Sequence, residues 1–77
     1  MHLRAVSTVC PRCEQGAILA MIVKSTRDSI LVCNECEATW LGDERPSSKG
    51  FRDFGAHMKA LGLKPLWEEL ESPRPGP

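Results

Sequence analysis

The four cysteines of this chain stand in two pairs, Cys10-Pro11-Arg12-Cys13 and Cys33-Asn34-Glu35-Cys36, with nineteen residues between the pairs. Two residues between paired thiols let a tight turn bring both sulfurs to one side. Two such turns facing each other make a tetrahedral cage of four sulfurs. The spacing falls in the range that reads as a zinc site. A full set of four protein ligands leaves no position for water or substrate. The expectation is therefore one structural Zn²⁺ held by Cys10, Cys13, Cys33 and Cys36, with no catalytic role.

Other chemistry is available to paired cysteines. A thioredoxin-like redox pair needs one CxxC opening a helix in a βαβ unit, and neither Gln15-Gly16-Ala17 nor Glu37-Ala38-Thr39 starts a convincing helix. Two disulfides would suit a secreted protein, and iron is chemically acceptable in a cage of four sulfurs. His2 and His57 are alternative ligands by type, but four cysteines already suffice for one ion, so both read as surface or half-buried histidines. The sequence carries no Ser/His/Asp arrangement, paired-carboxylate motif, HExxH or glycine-rich phosphate loop. Neither an enzyme nor a small-molecule substrate is expected.

The elements that must position these cysteines are few. At 77 residues the chain is one domain at most. Chains this short bury a small fraction of their surface and usually need a metal, disulfides or a partner as a staple. The N-terminal stretch Met1 to Thr8 breaks after two or three apolar positions, unlike a secretory signal. The longest apolar run, Ala17 to Val23, has seven residues, far below the roughly 20 that span a bilayer. These features predict a cytoplasmic protein with no membrane segment.

Between the pairs, Ala17 to Lys24 and Ser29 to Val32 read as strands joined by the polar turn Ser25-Thr26-Arg27-Asp28, and Ala38 to Leu41 reads as a short third strand ended by Gly42. In the first strand Ile18, Ala20 and Ile22 face one way, and Leu19, Met21 and Val23 the other. Both faces are apolar, so both need cover.

Two knuckles joined by a hairpin, with a third strand completing the sheet, resemble the zinc-ribbon fold over about residues 8 to 41. Cys10-Pro11-x-Cys13 is similar to the usual first knuckle, and Trp40, four residues after the last cysteine, matches a common ribbon aromatic. Ribbons often carry glycine directly after the second cysteine of each knuckle, where φ is positive. Here Glu14 and Glu37 occupy those places. They bring negative charge near an anionic cage, and Arg12 inside the first knuckle offsets part of it. The resemblance implies a small α+β fold, a metal-stabilised ribbon with a three-stranded antiparallel sheet.

The ribbon is expected to occupy residues 1–42, followed by a polar linker at 43–50. The period then changes. Phe51, Phe54, Met58 and Leu61 recur at helical spacing, Gly62 is a C-terminal stop, and Gly55 weakens the helix. Pro65 starts a second short turn with Leu66, Trp67 and Leu70 on one side. Residues 51–71 thus read as one or two short helices packed on the ribbon, and 72–77, the stretch SPRPGP, as a disordered tail.

Lys plus Arg and Asp plus Glu each number 10, so the formal charge is zero. Four thiolates around one zinc would take it to about −2. Such a chain is poorly suited to general phosphate binding, which needs clustered basic residues. Arg4, Arg12, Lys24 and Arg27 lie in the ribbon half, but Glu14, Asp28 and Glu35 offset them and no aromatics interleave. The leading expectation is a non-enzymatic module that binds another protein, as a subunit, an adaptor or an inhibitor such as an immunity or antitoxin protein. Trp67 with Glu68, Glu69 and Glu71 is its candidate partner surface, suited to a basic partner. The alternative is a nucleic-acid-binding ribbon of the transcription or translation machinery, as the resemblance suggests.

Overall fold

The computed structural model describes residues 9–73. His2 and Arg4 lie outside them, as do residues 74–77 of the expected tail. The chain forms strands β1 (Ile18–Val23), β2 (Ser29–Cys33) and β3 (Ala38–Leu41), then a two-residue strand β4 (Arg52–Asp53) and helix α1 (Phe54–Ala60). A 3-10 turn over Trp67–Glu69 leads into β5 (Leu70–Glu71). The strands make one antiparallel sheet in the order β4-β3-β2-β1-β5.

The sheet has five strands where the resemblance led us to expect three. Both additional strands come from the segment read as purely helical. Arg52–Asp53 pairs with Ala38–Thr39, and Leu70–Glu71 pairs with Ile22–Val23. The reason is backbone accounting: β1 and β3 would otherwise present unpaired N–H and C=O groups along their outer edges. A two-residue strand leaves almost no periodicity in sequence to reveal it.

Register places the predicted faces of β1 on opposite sides. Ile18 pairs with Cys33 and Ala20 with Leu31, whereas Leu19 pairs with Val32 and Met21 with Ile30. The first face carries Ile18, Leu31, Ala38 and Trp40 together with Cys10 and Cys33. The second carries Val23, Ile30 and Val32, covered by Phe54, Met58 and Leu70, with Leu61, Leu63 and Trp67 at its margin. Both faces are covered, as the apolar strand requires.

Phe51 shares the spacing of the helical stripe but packs on the first face, with the cysteines. The chain crosses from one face to the other between Phe51 and Phe54. Arg52 and Asp53 run extended along β3, and the helix begins only at Phe54 because Asp53 caps it, its carboxylate accepting from the Ala56 N–H at 3.1 Å. The helix ends where expected. Gly62 has φ +78, its N–H reaches the Lys59 carbonyl at 2.9 Å, and the Leu63 N–H reaches the Met58 carbonyl at 2.9 Å. This paired bonding is a Schellman cap, which a residue with a Cβ disfavours. In the second turn, Leu66 is 42% exposed and Leu70 belongs to a strand, so the shared helical side predicted for them does not form.

Residues 43–50 are tied to β3 and β4 by hydrogen bonds. The Trp40 indole N–H donates to the Ser47 carbonyl at 3.2 Å, and the Glu44 carboxylate accepts from the Leu41 N–H at 2.8 Å and from the Arg52 guanidinium at 2.9 Å. The Arg52 bond holds the Glu44 carboxyl below its usual range. At the hairpin tip Arg27, with φ 65, pairs with Glu71 of β5.

Two outcomes follow from this packing. Met58 is fully buried, so Met58→Ala should cost about 2–5 kcal/mol in denaturant unfolding, while Leu66→Ala should stay within about 0.5 kcal/mol. His57 supplies the second. Its Nε2 is buried without a hydrogen-bond partner, and burial, then the nearby Arg52 charge, lower its pKa, opposed by Asp28. The unfolded chain therefore takes the proton more readily, and stability should fall as pH drops below the ordinary value of 6.5. Thermal melts from pH 7.5 down to about pH 6 should fall less steeply in His57→Gln than in the unaltered protein.

Candidate metal centre

Cys10 opens the first knuckle just after the bridge between Val9 and Ala17, and its N–H donates to the Gly16 carbonyl at 2.9 Å. Cys33 ends β2, and the second knuckle turns back into β3. Asn34 joins the two. Its backbone N–H donates to the Ala17 carbonyl at 3.1 Å, and its side-chain Oδ1 accepts from the Ala17 N–H at 3.0 Å. The hairpin thus fixes one knuckle against the other.

All four Sγ atoms lie within 4.8 Å of one another. Cys10 and Cys36 are 3.8 Å apart, and Cys13 and Cys33 3.7 Å. A tetrahedron with bonds of about 2.3 Å has edges of about 3.8 Å, so the cage is sized for a four-sulfur metal site. The four thiols are free and converge on one point, an arrangement that suits an ion better than two disulfides. Neither pair opens a helix, which removes the basis of a thioredoxin-like reading. The predicted ligands are therefore brought together and positioned to bind a metal ion.

Backbone N–H groups point at the sulfurs. Arg12 donates to Cys10 at 3.4 Å, Gly16 to Cys13 at 3.4 Å, and Glu35 and Cys36 to Cys33 at 3.3 and 3.4 Å. Such bonds favour the thiolate form that a metal needs. At Cys13 the N–H groups of Gln15 and Gly16 draw the pKa down to about 6. At Cys10 burial outweighs the N–H groups of Cys13 and Arg12 and pushes it up to about 11. Loading an ion must therefore displace protons.

Glu14 and Glu37 stand where ribbons often place glycine, and both adopt the left-handed conformation, with φ 58 and 64. The knuckle geometry is kept without the glycine. Glu37 is also turned to use: its carboxylate accepts from the Trp67 indole N–H at 2.9 Å. The glycine the site does require stands elsewhere. A Cβ on Gly16 would lie 2.6 Å from the Cys33 sulfur and 2.7 Å from Glu35 Cγ. Its only sequence signal was its place three residues after Cys13.

Arg12 reaches from the first knuckle to the second. Its guanidinium lies 4.5 Å over the Phe51 ring and donates to the Cys36 carbonyl at 3.5 Å. Of the candidate partner residues, Trp67, Glu68 and Glu69 form the 3-10 turn, with Glu69 half-buried, and Glu71 lies in β5. Trp67 is half-buried against Phe54, with ring centroids 5.6 Å apart, Glu68 is exposed, and Glu71 pairs with Arg27. His57 lies on α1 and is not among the clustered ligands.

A scan against protein-family models finds no match, and searches of curated proteins and of solved structures find no significant match. No helix among the described residues is long and apolar enough to cross a membrane.

Cys13→Ser or Cys33→Ser should abolish metal uptake and unfold the domain, because binding energy at such a site is folding energy. Gly16→Ala should weaken metal affinity by at least about tenfold while keeping all four ligands, since the new Cβ must displace the Cys33 sulfur or the backbone beneath it. Chelator competition and circular dichroism read both. Wild-type affinity in Gly16→Ala would contradict the close approach.

Proposed function

We propose that the chain is a zinc-ribbon module with one structural zinc at Cys10, Cys13, Cys33 and Cys36, and that it acts without catalysis by binding another protein in a reducing compartment such as the cytoplasm. The observation that carries the zinc reading is the cage, with edges of 3.7 and 3.8 Å and N–H groups directed at its sulfurs. Tetrahedral sulfur suits both zinc and iron, but zinc asks nothing more of the site than this geometry. The ion would take all four cysteines as ligands. No coordination position is then left for substrate, which supports a structural role.

Protein binding is favoured over nucleic-acid binding by the state of the basic residues. Arg12 is stacked on Phe51, Arg27 is paired with Glu71, and Arg52 with Glu44. Three of the four arginines among the described residues are thus engaged within the molecule, which leaves fewer free counter-charges for phosphate. The candidate contact region remains the 3-10 turn, where Leu66 and Glu68 are exposed beside half-buried Trp67. Of the three glutamates proposed for a basic partner, Glu71 contributes least, because Arg27 already neutralises it.

Native mass spectrometry of the purified chain should find one zinc per molecule. Anisotropy titrations with single- and double-stranded DNA and RNA at low salt should find no binding. Salt-sensitive binding to any of these would replace protein recognition with the ribbon's nucleic-acid reading. Iron in place of zinc would recast the site as an electron-transfer centre.

A further inference from the structure

Glu37 follows the ligand Cys36 and is gripped from three directions. Its backbone carbonyl accepts from the Phe54 N–H at 3.1 Å and from the Thr39 hydroxyl at 3.2 Å. Its carboxylate accepts from the Trp67 indole N–H at 2.9 Å, across 30 residues of sequence. Both side chains of this last bond are half-buried, where a hydrogen bond to a charged acceptor is stronger than in open water.

The backbone at Glu37 is left-handed, a conformation that residues with a Cβ leave readily when nothing holds them. If Glu37 relaxes, the second knuckle opens. Cys36 is the half-exposed sulfur of that knuckle, whereas Cys33 is fully buried, so an opening at Glu37 frees the ligand that chelators and water reach first. Trp67 would fill its place against Phe54 by ring packing alone. Its N–H bond to Glu37 adds a tie between the C-terminal segment and the metal knuckle that packing does not require.

We propose that Glu37 and Trp67 are positioning residues of the metal centre: the indole N–H holds Glu37 in the conformation that keeps the second knuckle closed, and thereby retards loss of the ion. This rests on the reading of the four cysteines as a resident metal site. The coupling runs both ways by linkage, so a loaded cage also fixes the acceptor on which Trp67 docks.

The test is the rate at which Zn²⁺ passes from the loaded full-length protein to an excess of a colorimetric chelator. Trp67→Phe keeps an aromatic ring on Phe54 and deletes the donor. It should release zinc about tenfold faster, the effect of losing a hydrogen bond to a charged group. Glu37→Ala should match it, and the double variant should be no faster than either single one. Glu37→Gln keeps an acceptor oxygen and should stay within about threefold of the unaltered protein. Leu63→Ala thins the same apolar cluster without touching Glu37, and should lower the melting temperature with little change in release rate. Release from Trp67→Phe at the unaltered rate, or equal acceleration by Leu63→Ala, would overturn the proposal and leave Trp67 as packing alone. An unaltered protein that takes up no zinc in native mass spectrometry would overturn the metal reading itself, so the two failures are distinct.

Discussion

Four cysteine sulfurs within 4.8 Å of one another are a demanding arrangement. As thiolates they repel, and as thiols they would leave weak donors and acceptors crowded together with little gained. A cation at the centre resolves both difficulties, and much of the chain is arranged to keep it possible. The hairpin sets the distance between knuckles, and Asn34 locks them through Ala17. Glycine at position 16 lets the first knuckle approach Cys33, and left-handed backbone at Glu14 and Glu37 turns each knuckle back.

A second constraint comes from the sheet itself. A strand that is apolar on both sides cannot leave either in water, and a chain of this length has little material with which to cover them. The metal knuckles and Phe51 cover one face, and α1 with the 3-10 turn covers the other. The same segment does both tasks by crossing the edge of β3 between Phe51 and Phe54, and its backbone closes that edge as it passes. At the far edge Leu70 and Glu71 pair with β1, and the Lys24 backbone N–H donates to the Glu69 carbonyl at 2.9 Å. Cover and edge protection are one solution rather than two.

Charge is distributed with similar economy. The ion pairs Arg27–Glu71 and Arg52–Glu44 are partly exposed and contribute little to stability one by one. Each instead pins a short element, β5 to the hairpin tip in one case and the 43–50 segment to β4 in the other. Arg12 does the same across the cage by lying on Phe51.

The sequence by itself determined the four cysteines that cluster, the three central strands and the need for cover on both faces. Those features follow from local rules: cysteine spacing, period-two alternation and capping chemistry act over a few residues and leave a readable mark. The Gly62 stop was legible for the same reason. The tertiary structure decided what depends on residues far apart. It added β4 and β5, which are too short to show a period, and it sent Phe51 to one face and Phe54 to the other. It made a glycine at position 16 matter through a sulfur 17 positions away, and turned Glu37, which spacing marked only as a misplaced charge, into the acceptor for Trp67. Spacing along a chain records what neighbours must do for one another, whereas a hydrogen bond across thirty residues exists only once the sheet has brought its partners together.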